Sequence, residues 1–247
     1  MVGDWSGYLG RFHSERPGVT ERVLARCFDG GQNPYEWLGG SVGDGPIVDV
    51  ACGSAPMRTH ASTRGYLGFD VSEAELALAR KRGASATLAP AQKLPLEDAS
   101  AGSVVCSMAL QVVEQLESVL MEVARVLRTG GRFAAIVPAA GPLRWTDRVP
   151  VGGLVAALGR SLSYPNDRIL RQASTVFGLA GLTLVADERR RFSFRLRGPE
   201  EADLFLWSLY LPGISGGRLR AARRWLRLCA RFGVDFAVPV RRLIATR

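Results

Sequence analysis

Short apolar runs alternate with amphipathic stretches between residues 46 and 138. The runs PIVDVAC, GYLGFD, SATLAP, SVVCSMAL and RFAAIVP have the length and the apolar side chains of buried strands. The stretches DVSEAELALARKRG and EQLESVLMEVARVLRTGG place apolar residues at helical spacing. Strands that alternate with helices predict an α/β fold with a doubly wound, mostly parallel sheet.

Local signals indicate where the helices begin and end. Ser72 and Glu75 have the spacing of a capping box, and Gly83 is expected to end the helix that they open. Gly130 is expected to end the second helix. Near the N-terminus, Pro17 would open a helix through VTERVLARCF that stops at the glycine pair of residues 30–31.

The tail of the chain departs from this alternation. LTLVADERRRFSFRL and VDFAVPVRRLIAT are strand-like, and we expect them to pair at one edge of the sheet, with an antiparallel final strand. An insertion, residues 141–180, then follows the fifth strand. The length of 247 residues suits a single domain. Its expected parts are an N-terminal helical segment (1–45), a central core (46–138), and insertions with the final strands (139–247).

The chain is basic, with a net charge of +9 and a pI near 10.1. Such a charge is typical of proteins that bind nucleic acids. However, Lys81 and Lys93 are the only lysines, and an arginine bias also follows from genome base composition. Arginine stripes without stacking aromatic residues between them match a nucleic-acid surface poorly, so nucleic acid is disfavoured as a partner.

The N-terminal stretch and the lengths of the apolar runs lead us to expect a cytoplasmic protein. The start, MVGDWSGYLG, lacks the basic end and apolar run of a signal peptide, and no apolar run approaches the roughly 20 residues of a membrane span. The four cysteines are dispersed, which predicts buried free thiols. With two histidines in the chain and no cysteine pair at zinc spacing, no metal site is expected.

A turn of small residues follows the first apolar run. The stretch IVDVACGSAP, residues 47–56, has an acid at Asp49 and a single glycine, Gly53. In a doubly wound sheet the ligand lies beyond the carboxyl ends of the strands, where small residues let the backbone approach it. Asp70 ends the second strand, where an acid can accept both hydroxyls of a ribose. Together the two features predict a nucleoside-binding site.

The nucleoside is expected to lack a pyrophosphate. A dinucleotide needs a helix N-terminus for its pyrophosphate and a third glycine where that helix meets the strand. Here the turn runs into Ala55-Pro56 and then MRTHAS, which is too short and irregular for such a helix. S-adenosylmethionine has no phosphates and tolerates this loss.

Four pieces of the central core resemble the class I S-adenosylmethionine-dependent methyltransferases of the small-molecule, or type 11, kind. They are VDVACGS, GYLGFDVSEAELALAR, APAQKLPLEDASAGSVVCSMALQVV and LMEVARVLRTGGRFAAIVP, in the order and spacing of that family. The resemblance implies that residues 46–138 bind S-adenosylmethionine and that the protein methylates a small molecule. It is vague in residues 1–45 and 140–235, where such enzymes keep their substrate lids.

The resemblance also implies which residues contact the cofactor. Those expected around the methionine part and the ribose are Asp49, Ala51, Cys52 and Gly53, with Asp70 on the ribose hydroxyls. Those expected around the adenine ring are Val71, Ala91 and Gln92. Those expected under the methionyl part and the sulfonium are Ser107 and Met108.

Three positions depart from the family pattern. Ala51 and Ala55 replace glycines, and each methyl would cost about 1 kcal/mol if the backbone there has a positive φ. Pro90 replaces an acid that could bind the adenine amino group. We therefore expect cofactor binding that is real but weaker than is typical of the family.

The catalytic candidates are few. Methyl transfer from a sulfonium is an in-line displacement, so a base is needed only when the nucleophile is poorly ionised. Gln111 stands where this family often has histidine; it could orient a substrate, or it could merely open a helix. His13 in the lid is the better base candidate, although a lone helical histidine is usually structural. In the same lid, Arg16 could pair with the methionyl carboxylate and Tyr8 could line the sulfonium.

Two segments bear on the acceptor. An apolar segment is interpreted as core, or as the wall of a pocket for an apolar, lipid-like acceptor; its large residues are Phe205, Leu206, Trp207, Leu209 and Tyr210. A basic helix face is interpreted as solvated, or as a contact for a membrane surface or a phosphate-bearing substrate; its residues are Arg220, Arg223, Arg224, Arg227 and Arg231. Phe232 is placed on the opposite, apolar side of that helix.

Two functions of other classes stay open. The first is an RNA methyltransferase, and the second is a non-catalytic module that keeps the fold for binding. The sequence leaves undetermined the acceptor, the methylated atom (O, N or C) and the oligomeric state.

Overall fold

A computed structural model describes residues 4–43, 46–60 and 65–247. The strands of the described residues are β1 Cys27–Phe28, β2 Ile47–Val50, β3 Tyr66–Asp70, β4 Ala86–Leu88, β5 Ala101–Ser107, β6 Leu127–Pro138, β7 Thr183–Arg195 and β8 Asp235–Thr246. The α-helices of these residues are α1 Trp5–Glu15, α2 Val19–Leu24, α3 Pro34–Gly39, α4 Glu73–Lys81, α5 Leu116–Val126, α6 Arg148–Leu158, α7 Asp167–Leu170, α8 Ala173–Leu179, α9 Pro199–Trp207 and α10 Gly216–Arg231. Short 3₁₀ turns span Pro56–His60 and Trp145–Asp147.

The strands form one mixed sheet in the order β1-β7-β8-β6-β5-β2-β3-β4. The strands β2 to β6 pair in parallel, whereas β8 pairs antiparallel with β6 and with β7. This confirms the predicted doubly wound sheet and its antiparallel final strand. The fifth predicted strand is β6, and the insertion predicted after it, residues 141–180, contains all of α6, α7 and α8.

Each face of the sheet has its own apolar core, because successive strand residues point to opposite faces. On one face, Phe192 and Phe194 of β7 pack with Leu206 of α9 and Leu226 of α10. On the other face, α5 and α8 cover the sheet, and the rings of Phe133 and Phe177 lie 5.8 Å apart. All four cysteines are free and buried, as predicted.

The predicted N-terminal helix is wrong at both ends. Gly18, with φ of 70°, precedes α2, which runs only from Val19 to Leu24. Cys27 and Phe28 then form the edge strand β1, which pairs antiparallel with β7. Pairing with the open edge of β7 satisfies backbone groups that a continued helix would leave on the surface, and it buries Cys27.

The predicted end of the second helix is also wrong. Helix α5 ends at Val126, and Leu127 leads directly into β6, so Gly130 lies within that strand with φ of 73°. The pairing register between β5 and β6 shifts between Ala101 and Ser103, which accommodates this irregular start. Gly83 does follow α4, with φ of 79°.

The two C-terminal segments are only partly as expected. Phe205 and Leu206 of α9 are buried in the core, as the favoured interpretation had it. On α10, Ala222 and Leu226 are buried, but Phe232 is 78% exposed, so its predicted place on the apolar side is wrong. Arg223 and Arg227 of the basic face both bind the Asp203 carboxylate. No helix of the described residues is both long and apolar enough to cross a membrane.

Candidate functional site

A cavity of about 630 Å³ lies beyond the carboxyl ends of β2, β3 and β5. Its floor is the small-residue loop after β2 and the start of α4, and one wall is the loop of residues 89–92. Helix α1 contributes the opposite wall. This is the position at which open α/β sheets bind their ligands.

The loop after β2 turns through left-handed backbone at three positions. The φ angle is 54° at Ala51, 52° at Gly53 and 60° at Ala55. The loop also packs closely on the neighbouring strand, because a Cβ on Gly68 would lie 2.8 Å from the Cys52 sulfur. A left-handed conformation is costly for alanine, so the loop holds backbone strain beside the cavity.

Exchanging the residue types in this loop should change stability in opposite directions. We expect Gly53→Ala to lower the free energy of unfolding by about 1 kcal/mol, because φ is positive there while the new methyl would meet only Glu75 Oε2 at 3.7 Å. We expect Ala51→Gly to raise it by roughly 0.5 kcal/mol, since the relief of strain exceeds the entropy gained by the unfolded chain. Urea unfolding of the two variants measures both effects, and shifts of the same sign would contradict the proposed strain.

Asp70 ends β3 on the floor of the cavity. Its Oδ2 accepts the Gly53 amide at 2.8 Å and its Oδ1 accepts the Ser72 amide at 2.8 Å. A carboxylate oxygen can accept two hydrogen bonds, so each oxygen keeps one free acceptor position. Burial raises the pKa of Asp70, and the two amides oppose that rise. The amides thus orient the carboxylate for a further pair of donors.

Asp49 lies beneath the loop and does not line the cavity. Its side chain is 1% exposed; Oδ2 accepts the Tyr66 hydroxyl at 2.7 Å, and Oδ1 has no partner among the described residues. Burial raises the pKa of Asp49 to about 7, against the effect of the Tyr66 hydrogen bond and with a smaller contribution from the charge of Asp70. The geometry therefore gives Asp49 a place behind the loop, not a contact across the cavity.

The remaining residues expected at the cofactor lie on the cavity wall. These are Ala51, Cys52, Gly53, Val71, Ala91, Gln92, Ser107 and Met108. The Ser107 hydroxyl is buried and has no partner among the described residues, which leaves it available to a ligand. Met108 has φ of 57°, so the backbone bends sharply where β5 reaches the cavity. The Gln92 amide donates to the Glu114 carbonyl at 2.7 Å, and both residues line the cavity.

His13 stands in the cavity wall between an acid and a phenol. Its Nδ1 is 2.9 Å from Oε1 of Glu75, and its Nε2 is 3.2 Å from the hydroxyl of Tyr210. Glu75 is 4% exposed, and its other oxygen accepts the Gly18 amide at 2.9 Å. Because a carboxylate only accepts, a neutral imidazole here carries its proton on Nδ1, and its Nε2 accepts from Tyr210. Burial raises the pKa of Tyr210, which keeps its hydroxyl protonated.

Three of the expected site residues lie away from this cavity. The Tyr8 hydroxyl accepts the Leu211 amide at 2.7 Å, on the side of a second cavity. The Arg16 guanidinium lies over the ring of Trp207, with 4.7 Å to the centroid. Gln111 is buried, and its amide donates to the Met108 carbonyl at 2.6 Å. Arg16 and Gln111 are therefore held by contacts within the protein, and Tyr8 faces the second cavity.

Sequence reasoning missed the acid behind His13. Glu75 was expected to cap the first turn of α4; Ser72 Oγ does accept the Glu75 amide at 3.4 Å, but the carboxylate of Glu75 instead reaches His13 and Gly18. Local spacing predicted the cap alone, because the partner lies 62 residues earlier in the chain. A charged residue on the inner face of a helix was the one available signal.

Comparison with known proteins gives one family match and several structural ones. Residues 48–135 match the family model described as a methyltransferase domain. No curated protein matches the chain. The [4+2]-cyclase SpnF is 18% identical, with a TM-score of 0.59 over 97% of this chain and 95% of the cyclase.

Two structures of named methyltransferases have a similar fold. Geranyl diphosphate C-methyltransferase from Streptomyces coelicolor A3(2) is 13% identical, with a TM-score of 0.57 over 100% of this chain and 98% of its own. Phosphoethanolamine N-methyltransferase 2 from Haemonchus contortus is 17% identical, with a TM-score of 0.57 over 100% of this chain and 60% of its own. At these identities the structures show a common fold. Residues 48–135 thus match a methyltransferase-domain model, and the chain shares the Rossmann-like fold of these structures.

Proposed function

We propose that this protein is an S-adenosylmethionine-dependent methyltransferase that acts on a small-molecule acceptor, at an O, N or C atom. The observation that carries the proposal is the Asp70 carboxylate at the end of β3. Two backbone amides hold it on the floor of a cavity of about 630 Å³, with one acceptor position free on each oxygen. A ribose diol supplies the two matching donors.

The residues around the cavity fit the parts of an adenosylmethionine. Val71 and Ala91 offer apolar surface beside Asp70, where an adenine ring would lie. The unpartnered Ser107 hydroxyl lies at the end of β5, where the methionyl part would need polar contacts. The loop at Ala51 and Gly53 has no bulky side chain, so its backbone can approach the ligand closely.

When bound, S-adenosylmethionine supplies an electrophilic methyl group on a sulfonium. The protein's own part is to position the acceptor in line and to exclude water. His13 is our candidate for the base: Nε2 would take the acceptor's proton directly or through the Tyr210 hydroxyl, which already donates to it. The buried Glu75 would then stabilise the protonated imidazole across the 2.9 Å contact with Nδ1.

The structures with a similar fold support a small acceptor. Both named methyltransferases were solved in complex with a small molecule and S-adenosylhomocysteine. The small molecule is geranyl diphosphate in one structure and phosphomonomethylethanolamine in the other. These ligands belong to those proteins. They support a small-molecule acceptor here over a macromolecular one.

The proposal is tested by titrating the purified protein with S-adenosylmethionine and S-adenosylhomocysteine in a calorimeter. We expect both to bind with dissociation constants in the micromolar range, and mass spectrometry of the purified protein to detect retained S-adenosylhomocysteine. ATP and NAD serve as matched adenosine ligands that should bind far more weakly. No heat up to millimolar ligand would refute the proposal.

Replacing His13 with alanine should slow methyl transfer to the acceptor at least 100-fold, because positioned general bases contribute factors of this order. The affinity for S-adenosylhomocysteine should change little. The chain's other histidine is the matched control: His60 lies in the 3₁₀ turn away from the cavity lining, and His60→Ala should leave turnover unchanged. Turnover is measured with a tritiated methyl group, and a His13→Ala variant of normal rate would end its candidacy as base.

A second candidate function is an enzyme or binding module that holds the adenosyl ligand without transferring its methyl group. The observation that favours it is the fold shared with a protein named as a cyclase, at a TM-score of 0.59. The tritium assay separates the two functions. In the second case the label stays on the bound cofactor, whatever small molecule or RNA is offered as acceptor.

A further inference from the structure

A second cavity, of about 640 Å³, adjoins the one just described. It lies between α1, the loop of residues 160–165 and the turn of residues 210–213. Trp5 and Tyr210 line both cavities, so the two spaces share these side chains as a common wall. The volume is in the range of sites for small organic ligands.

Four aromatic rings from three segments form its wall, two of them on helix α1. The centroid of Trp5 is 6.0 Å from that of Tyr8 and 6.3 Å from that of Tyr164, and Tyr164 is 6.4 Å from Tyr210. The Trp5–Tyr8 and Tyr164–Tyr210 pairs are edge-to-face, which fixes the rings against one another. Such a wall contacts a flat, unsaturated molecule over a large area at little cost in side-chain entropy.

The rim of this cavity is positively charged. Arg11 and Arg160 are exposed on it, and Arg160 is held in place because its guanidinium donates to the Pro212 carbonyl at 2.7 Å. The charge of Arg160 also opposes the rise that burial causes in the pKa of Tyr8. Asp4 is the acidic residue of the lining, and its Oδ1 accepts the Gly7 amide at 2.8 Å as the cap of α1.

We infer that the second cavity is the acceptor site and that the acceptor is a flat, unsaturated small molecule with an anionic group, which Arg11 and Arg160 bind. The inference rests on the proposed function, since it places the acceptor's nucleophile at the Tyr210 side, next to the cofactor cavity and His13. The aromatic wall selects the body of the molecule and the two guanidinium groups select its charge. An entirely apolar acceptor would leave both arginines without a role.

The inferred site is tested with three probes of one shape: 2-naphthoate, 2-naphthyl phosphate and the neutral 2-naphthamide. Each is titrated into the full chain, with and without saturating S-adenosylhomocysteine, by calorimetry or saturation-transfer NMR. We expect the two anions to bind about tenfold more tightly than the amide, with a preference that shrinks as salt rises. If 2-naphthoate and 2-naphthyl phosphate bind with similar affinity, the site requires only a carboxylate. If the phosphate binds ten times more tightly, the acceptor carries a phosphate.

The variants are Arg11→Gln, Arg160→Gln and the pair together, with Arg168→Gln on α7 as a control outside the lining. The double variant should lose the preference for anions but bind naphthamide as tightly as the parent does. The Arg168→Gln control should keep the preference for anions. Arg160→Gln also removes the hydrogen bond to the Pro212 carbonyl, which could disturb the fold of the double variant. In that case the loss of anion preference is measured in Arg11→Gln alone. Equal binding of amide and anions by the parent, or an anion preference that survives in the double variant, would overturn the inference. Because the probes are also titrated without S-adenosylhomocysteine, a failure of cofactor binding is seen separately.

Discussion

Replacing Asp70 with asparagine should lower the affinity for S-adenosylhomocysteine about 100-fold. The carboxylate is expected to accept two hydroxyls of the ribose while two amides hold it in place. An asparagine has one acceptor oxygen, so at least one charge-assisted hydrogen bond is lost and the amide group faces a donor. A loss of roughly 3 kcal/mol, or about 100-fold, follows for such a pair of bonds. Calorimetric titration of the variant measures it.

The ligand provides the control that separates ribose recognition from damage to the loop. The parent protein should bind adenosine more tightly than 2′,3′-dideoxyadenosine, and this preference should be much smaller in the Asp70→Asn variant, which keeps one acceptor oxygen. Glu97→Gln, a change of the same kind at an exposed loop position, should preserve the full preference. If Asp70→Asn keeps the parent's full preference for the diol, or still holds S-adenosylhomocysteine as tightly as the parent, Asp70 does not bind the ribose.

Replacing Asp49 with asparagine should remove a large pH dependence of stability. Folding raises the pKa of Asp49 from its usual 3.8 to about 7, because the carboxyl group is fully buried. The contribution of the Asp49 carboxyl group to the free energy of unfolding is therefore most favourable below about pH 4. It is lost as the pH rises through about 7. A shift of this size corresponds to roughly 4 kcal/mol in the free energy of unfolding. Urea unfolding of parent and variant between pH 4 and pH 8 measures the difference.

The expected signature is a stability difference that grows with pH in favour of Asp49→Asn. The matched control is Tyr66→Phe, which removes the 2.7 Å hydrogen bond to the carboxylate. That bond lowers the pKa of Asp49, so its loss should extend the parent's pH dependence to higher pH. A difference between parent and Asp49→Asn that stays constant over this range would show that the carboxyl group titrates normally in the folded protein.

The architecture of the central core could be predicted because its signals are local. Buried strands such as Ile47–Val50 and Ala101–Ser107 are short apolar runs, and the helix between residues 73 and 81 has a polar cap, an apolar stripe and a terminal glycine. Each of these features acts over a few residues, so the sequence displays it directly. The acid at the end of the second predicted strand was visible for the same reason.

The errors arose where a distant segment competes with a local signal. Cys27 and Phe28 continue a helical pattern, yet they pair with β7, which lies more than 160 residues later. The second helix was predicted to end at Gly130. It ends earlier because Leu127 already pairs with Ala101 of β5. Arg16 and Tyr8 lie on the predicted lid, but packing against Trp207 and Leu211 directs them away from the cavity.

The sequence by itself determined the alternation of strands and helices in residues 46–138, the small-residue loop after the first of these strands and the acid beside it, since each depends on neighbours in the chain. Tertiary structure alone decided the surroundings of His13. Its partners Glu75 and Tyr210 are 62 and 197 residues away, and no periodicity or cap signals such contacts. They form because folding brings the three side chains together at the cavity wall, where the buried acid and phenol must find hydrogen-bond partners.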